Sequence, residues 1–117
     1  MILLIHNSVL NSTLPTLIGE IVMKEKIKQI VENCLLQLKE TSGLSFEITD
    51  GIVLLGENAV LDSFDFVSLT QEIEDKVSDE LGKDITIVSA KAFSKKNSPF
   101  KNVDTLSEYI LELVSND

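Results

Sequence analysis

Val60-Leu61-Asp62-Ser63-Phe64-Asp65-Phe66-Val67 is the stretch on which the fold turns: a glycine-dotted loop ends here and a strongly acidic helical pattern begins. Downstream, Phe66, Val67, Leu69, Thr70, Ile73, Val77 and Leu81 recur on one side of a helix at about 100° per residue. Gly82 stands where a glycine is expected just past a helix C-terminus, with Lys76 and Lys83 near the negative end of the dipole. Ser63 falls in the first turn. There, unpaired N–H groups and the positive end of the dipole favour an oxygen anion, a phosphodiester included.

The opposite face of this helix carries more information. Phe64, Ser68, Gln71, Glu72, Asp75 and Asp79 form a single stripe running away from Ser63, so one aromatic ring sits among carboxylates on the solvent side. A helix built only to pack needs no Phe there. From Asp62 to Asp84 the acids are Asp62, Asp65, Glu72, Glu74, Asp75, Asp79, Glu80 and Asp84, against Lys76 and Lys83. The segment therefore supplies about two-thirds of the formal net charge of -9. Clustered charge of this kind speeds encounter with basic patches and is screened by salt.

Asp62-Ser63-Phe64-Asp65, the acidic amphipathic helix after it, and a later apolar helix around Thr105-Leu106-Ser107-Glu108-Tyr109-Ile110 resemble the acyl carrier protein family, whose hallmark is Asp-Ser-Leu at this place. The resemblance runs over roughly residues 23–114 and is most specific from Leu61 to Leu81. It implies an all-α fold: a four-helix acyl-carrier-like bundle with a long loop between the first two main helices and a short third helix. It also implies that Ser63, preceded by Asp62, carries a 4′-phosphopantetheine arm installed from coenzyme A by a phosphopantetheinyl transferase. That arm would hold acyl groups as thioesters for acyl-loading and acyl-transfer enzymes with basic patches. Phe64, Asp65, Ser68, Glu72, Glu74, Asp75 and Asp79 are the residues expected to meet those partners. Phe64 replaces the family's leucine and Ser68 its frequent glutamate, departures that point to a specialised stand-alone relative in lipid, surface-polysaccharide or polyketide-like synthesis.

Composition sets outer bounds. The chain has 117 residues, enough for one domain with a single core. A pI near 4.5 argues against nucleic-acid binding, which wants a basic face to displace counterions, and against docking on anionic lipid. Basic protein partners are the natural complement, and a monomer is expected. One cysteine rules out an internal disulfide, and no Cys/His cluster has metal-ligand spacing, so a cytoplasmic setting is the simpler reading. Cys34 lies on the apolar face of the first helical pattern and reads as a core thiol. His6 is the only histidine. With no second His, neither a Cys-His nor a Ser-His-Asp arrangement can be assembled, and the chain is not expected to be an enzyme.

Residues 1–22 are apolar, lack a basic n-region and are interrupted by Asn7, Asn11 and Pro15, so neither a signal peptide nor a membrane span fits. They read as a leader, disordered or loosely packed, ahead of a domain over residues 23–115, with Met23 itself a possible start. Ile27, Ile30, Val31, Cys34, Leu35 and Leu38 then mark a helix of about four turns that ends before Gly43.

Residues 41–61 are ambiguous. Leu44-Ser45-Phe46-Glu47-Ile48 alternates like a strand and Ile52 to Leu55 is a short apolar run, so local physics allows a hairpin. The resemblance implies a long loop pinned by its apolar residues. Farther on, Ile85 to Val88 can be a brief extended run and Ser89 can cap a short turn through Phe93. Ser94 to Lys101 reads as a loop around Pro99. The last helix places Val103, Leu106, Tyr109, Ile110, Leu113 and Val114 on one face. Asn102 or Thr105 can cap it, Thr105 and Glu108 having capping-box spacing.

Each feature has a plain structural role as well: Ser63 as an N-cap, the acidic stripe as a solvated face, Phe64 folded back on the loop. Their conjunction favours a carrier. The alternatives are an unmodified carrier-like adaptor, binding a basic partner through the same acidic helix, and an aminoacyl or D-alanyl carrier.

Overall fold

A computed structural model describes residues 14–49 and 51–115, with side chains from residue 18 onward. The described residues form an all-helical bundle of four helices with no strand: α1 Leu14–Ser42, α2 Ser63–Leu81, α3 Ala90–Phe93 and α4 Val103–Ser115. The first helix is the centre of the packing, lying against both α2 and α4. None of these helices is long and apolar enough to cross a membrane.

Helix α1 begins at Leu14, upstream of the Met23 start that the sequence suggested. Pro15 is the second residue of the helix, where its missing N–H is one that no helical carbonyl would have met, so it starts the element instead of interrupting it. Gly19 costs about 1 kcal/mol relative to alanine and does not stop it. On this upstream part Ile18, Ile21 and Val22 are exposed. The remainder of the proposed leader, residues 1–13 with His6, lies outside the described residues. From Ile27 onward the spacing holds: Ile27, Ile30, Val31, Cys34 and Leu35 are buried and Leu38 packs against them. The end is a Schellman turn, with Gly43 at φ +67° and the Leu44 N–H donating to the Lys39 carbonyl at 3.0 Å.

The long loop forms, and the hairpin does not. The alternation of Leu44, Phe46 and Ile48 is real, because all three pack partly against the core, yet the run lies singly on the bundle with no strand beside it among the described residues. Ile52, Leu54 and Leu61 are fully committed to the core, each burial contributing about 1.5–3 kcal/mol. Two backbone bonds fix the path, Val60 N–H to the Val53 carbonyl at 2.9 Å and Leu54 N–H to the Lys101 carbonyl at 2.7 Å.

Helix α2 buries Phe66, Leu69, Thr70, Ile73 and Val77 as the period requires. Val67 departs from the expected buried set: it sits at the edge of the apolar arc and is 46% exposed. Gly82, at φ +67°, closes the helix by donating its N–H to the Ser78 carbonyl at 3.1 Å. Ser89 caps α3 through the Ala92 N–H, as its position suggested. The cap of α4 is Asn102 in a reciprocal box with Thr105. The Thr105 N–H donates to Asn102 Oδ1 at 2.8 Å and the Asn102 N–H to Thr105 Oγ1 at 3.1 Å. Thr105 is thus the last residue of the box, the third of the helix, and not its first, because the helix starts at Val103. Phe100 is the aromatic hub between elements, packed edge-on against Phe66 of α2, Phe93 of α3 and Tyr109 of α4.

Candidate functional site

At the start of α2 the capping work belongs to Asp62. Its backbone is extended (φ -85°, ψ 178°), its Oδ1 accepts the Asp65 N–H at 2.8 Å and its carbonyl accepts the Phe66 N–H at 2.9 Å. Ser63 is therefore the first helical residue and not the N-cap. Its side chain is exposed and makes no hydrogen bond among the described residues. The N–H groups of Ser63 and Phe64 are likewise unpartnered there, two of the orphan donors that every helix start leaves pointing outward. Asp65 is half-buried, and its place in the first turn complements the dipole.

Phe64 is 79% exposed, against 4% for Phe66 two residues later. It does not fold back on the loop. Val67, three residues on, is its surface neighbour, so the two form a short apolar strip beside Ser63. The spacing assigns Val67 to the apolar side and not to this exposed strip. Its position at the rim of the apolar arc, next to Phe64, was the available signal.

The expected docking residues separate into three groups. Asp75 and Asp79 are exposed along the outer stripe with Phe64, as is Gln71 of the same stripe, which is not among the expected docking residues. Ser68 and Glu72 are half-buried on the flank facing α1. With Leu69 they meet Cys34, Leu38 and Thr41 around a cavity of about 160 Å³. Glu74 is set apart from both: its Oε2 accepts the Ile87 N–H at 2.8 Å, anchoring the segment after Gly82 to the middle of α2. That side chain serves the fold.

Cys34 is buried as expected, and burial pushes its thiol up to about 12, with Glu72 and Glu80 nearby adding to the effect and Lys76 opposing it. It is a protonated core thiol beside the cavity. Elsewhere Lys24 bridges α1 to α4 through Asp104 at 3.2 Å and Glu108 at 3.1 Å, and its ammonium pKa is raised chiefly by the bond to Glu108. Among the described residues no group of three His, Cys, Asp or Glu could hold a metal ion.

No protein-family model matches the chain, and neither the curated proteins nor the solved structures hold a significant match to it.

Proposed function

We propose that the chain is an acyl carrier of the phosphopantetheine type, with Ser63 as the attachment residue. The observation that carries this reading is that Asp62, and not Ser63, caps α2. A serine whose hydroxyl is exposed, unbonded and relieved of a structural duty, at the first position of an acidic helix, is accessible to a modifying enzyme, which supports this reading. The residues present suit the group: an accessible nucleophilic oxygen, and the N–H groups of Ser63 and Phe64 with the dipole behind them to favour a phosphodiester.

In the attachment step Ser63 Oγ forms a bond to the β-phosphorus of coenzyme A. The bond from that phosphorus to the oxygen bridging toward the adenosine side breaks, 3′,5′-adenosine bisphosphate leaves with the electron pair, and the hydroxyl proton passes to a base of the transferase. When bound, the arm supplies a terminal thiol that carries an acyl group as a thioester. The chain's own part is to present it. Phe64 and Val67 offer the apolar anchor, while Asp75 and Asp79 offer the charge that steers basic partners.

The test is intact mass after incubation with coenzyme A and a broad-specificity phosphopantetheinyl transferase, run beside Ser63→Ala. The expected result is a gain of one phosphopantetheine in the wild type and none in the variant. No gain in either leaves the same exposed stripe as a docking surface of an unmodified adaptor. With the modified protein, Phe64→Ala and Asp75→Asn should each slow acyl handover while leaving helix content unchanged; unaltered handover kinetics for both would remove the docking role given to the stripe.

A further inference from the structure

The acidic stripe has a counterpart of opposite sign on the same molecule. Between Ala90 and Lys101 the chain holds Lys91, Lys95, Lys96 and Lys101 and no acid, in a protein whose formal charge is -9. Lys91 and Lys95 approach Glu112 at 4.0 and 3.2 Å, whereas the exposed Lys96 and Lys101 have no ion pair among the described residues. In their midst Phe93 is 64% exposed, with Val88 half-exposed just upstream. Fold stability does not require an exposed phenyl ring on a one-turn helix. The arrangement of one ring among like charges repeats that of Phe64 on α2 with the sign inverted.

The two faces are neighbours. Phe93 packs on Phe100 at 5.4 Å and Phe100 on Phe66 at 5.2 Å, while Glu74 of α2 holds the backbone of Ile87 just before α3. The basic segment is thus tied to the Glu74 flank of α2, and Gln71, three residues before Glu74, is where that flank borders the outer stripe. Adjacent patches of opposite sign have a particular property under a two-fold axis: the basic segment of each copy meets the acidic stripe of the other, and both contacts form at once in a closed pair.

We propose that residues 88–101 are a docking face for the acidic α2 stripe of a second copy of this chain, giving a weak, salt-sensitive two-fold dimer. Charge complementarity selects this occupant. Opposite patches attract over about a Debye length, roughly 10 Å at 0.1 M salt, and this local attraction works against the repulsion of the two net charges, which keeps the dimer weak. Pairing would occupy the stripe that basic partners use, so the two associations compete. The proposal concerns the unmodified chain and does not depend on Ser63 carrying anything.

Sedimentation velocity on the full chain tests it. The sedimentation coefficient should rise with protein concentration at low salt and fall to the monomer value at high salt. Lys96→Glu/Lys101→Glu should weaken association about tenfold or more, and so should Asp75→Lys/Asp79→Lys. Phe93→Ala should weaken it while leaving the circular dichroism spectrum unchanged. The deciding arm mixes the two charge-reversed proteins, each monomeric alone. In a mixed pair every patch again meets its opposite, and pairing should return although both variants remain net acidic. A mixture that stays monomeric overturns the proposal, as does a wild type that is monomeric at every salt concentration. Lysine-dependent flotation of a monomeric wild type with phosphatidylglycerol vesicles overturns it too, and reassigns the face to an anionic lipid surface.

Discussion

Replacing Asp62 separates the structural from the chemical part of the α2 N-terminus. Asp62→Ala removes the acceptor of the 2.8 Å bond from the Asp65 N–H and leaves that donor to water. An N-cap of this kind is worth about 1 kcal/mol, with a range of about 0.5–2. For a domain of this size, 1 kcal/mol corresponds to a fall of about 4–8 °C in Tm. Asp62→Asn keeps an acceptor oxygen at the same reach and ranks with aspartate as an N-cap, so its Tm should stay within about 2 °C of wild type. Thermal unfolding followed by circular dichroism at 222 nm, on all three proteins in one buffer, reads the difference. Should the alanine variant melt with the wild type, Asp62 is not the cap, and the argument that frees Ser63 fails with it. If the asparagine variant falls as far as alanine, the contribution is the carboxylate charge against the helix dipole and not the hydrogen bond.

Phe100→Ala removes a ring that is 1% exposed and in contact with three other aromatics, so a loss of about 3–5 kcal/mol is expected. Phe93→Ala, on the neighbouring but exposed ring, should cost under about 1 kcal/mol, and urea titration of the pair would expose any error in assigning the hub. Cys34 should resist Ellman's reagent in the native state and react on unfolding. Its thiol is raised to about 12 in the fold against an ordinary value near 9, so between those values the unfolded chain binds fewer protons than the native one and stability falls as pH rises. Cys34→Ala should lessen that fall, and an equal slope in both proteins would contradict the burial argument. Self-repulsion along α2 should make Tm rise with added sodium chloride and more strongly with magnesium; a flat response would mean that the repulsion is negligible.

Much of this was legible in the sequence wherever the controlling physics is local. The buried face of α2, the glycine stop at Gly82, the Ser89 cap and the inner face of α4 all follow from spacing and from the residue types that close helix ends. The errors are local too, but lie where two rules compete. Pro15 reads as an interruption until its place in the first turn is known, and Val67 belongs to the apolar arc by type yet sits on its rim by angle. The 44–48 alternation fits a strand and a pinned extended loop equally, because the deciding factor is whether a partner strand exists. At the candidate site the sequence located Ser63, Phe64 and the stripe. It could not show that Asp62 caps the helix, that Glu74 is held by Ile87, or that Ser68 and Glu72 turn toward α1. Those depend on contacts made across the chain.

The bond from the Leu54 N–H to the Lys101 carbonyl, together with the packing of α1 against α4, has a consequence for biosynthesis. The long loop is fastened by a residue close to the start of the last helix, and the first helix finds half of its cover only in that helix. A ribosome-bound chain that stops short of Lys101 can pair α1 with α2 but lacks both the carbonyl that holds Leu54 and the helix that packs on the other side of α1. Contacts of such wide sequence separation form late and set the folding rate. Native structure should therefore appear in one step as α4 emerges, and until then the apolar side of α1 is open to whatever chaperone or sticky surface stands nearest.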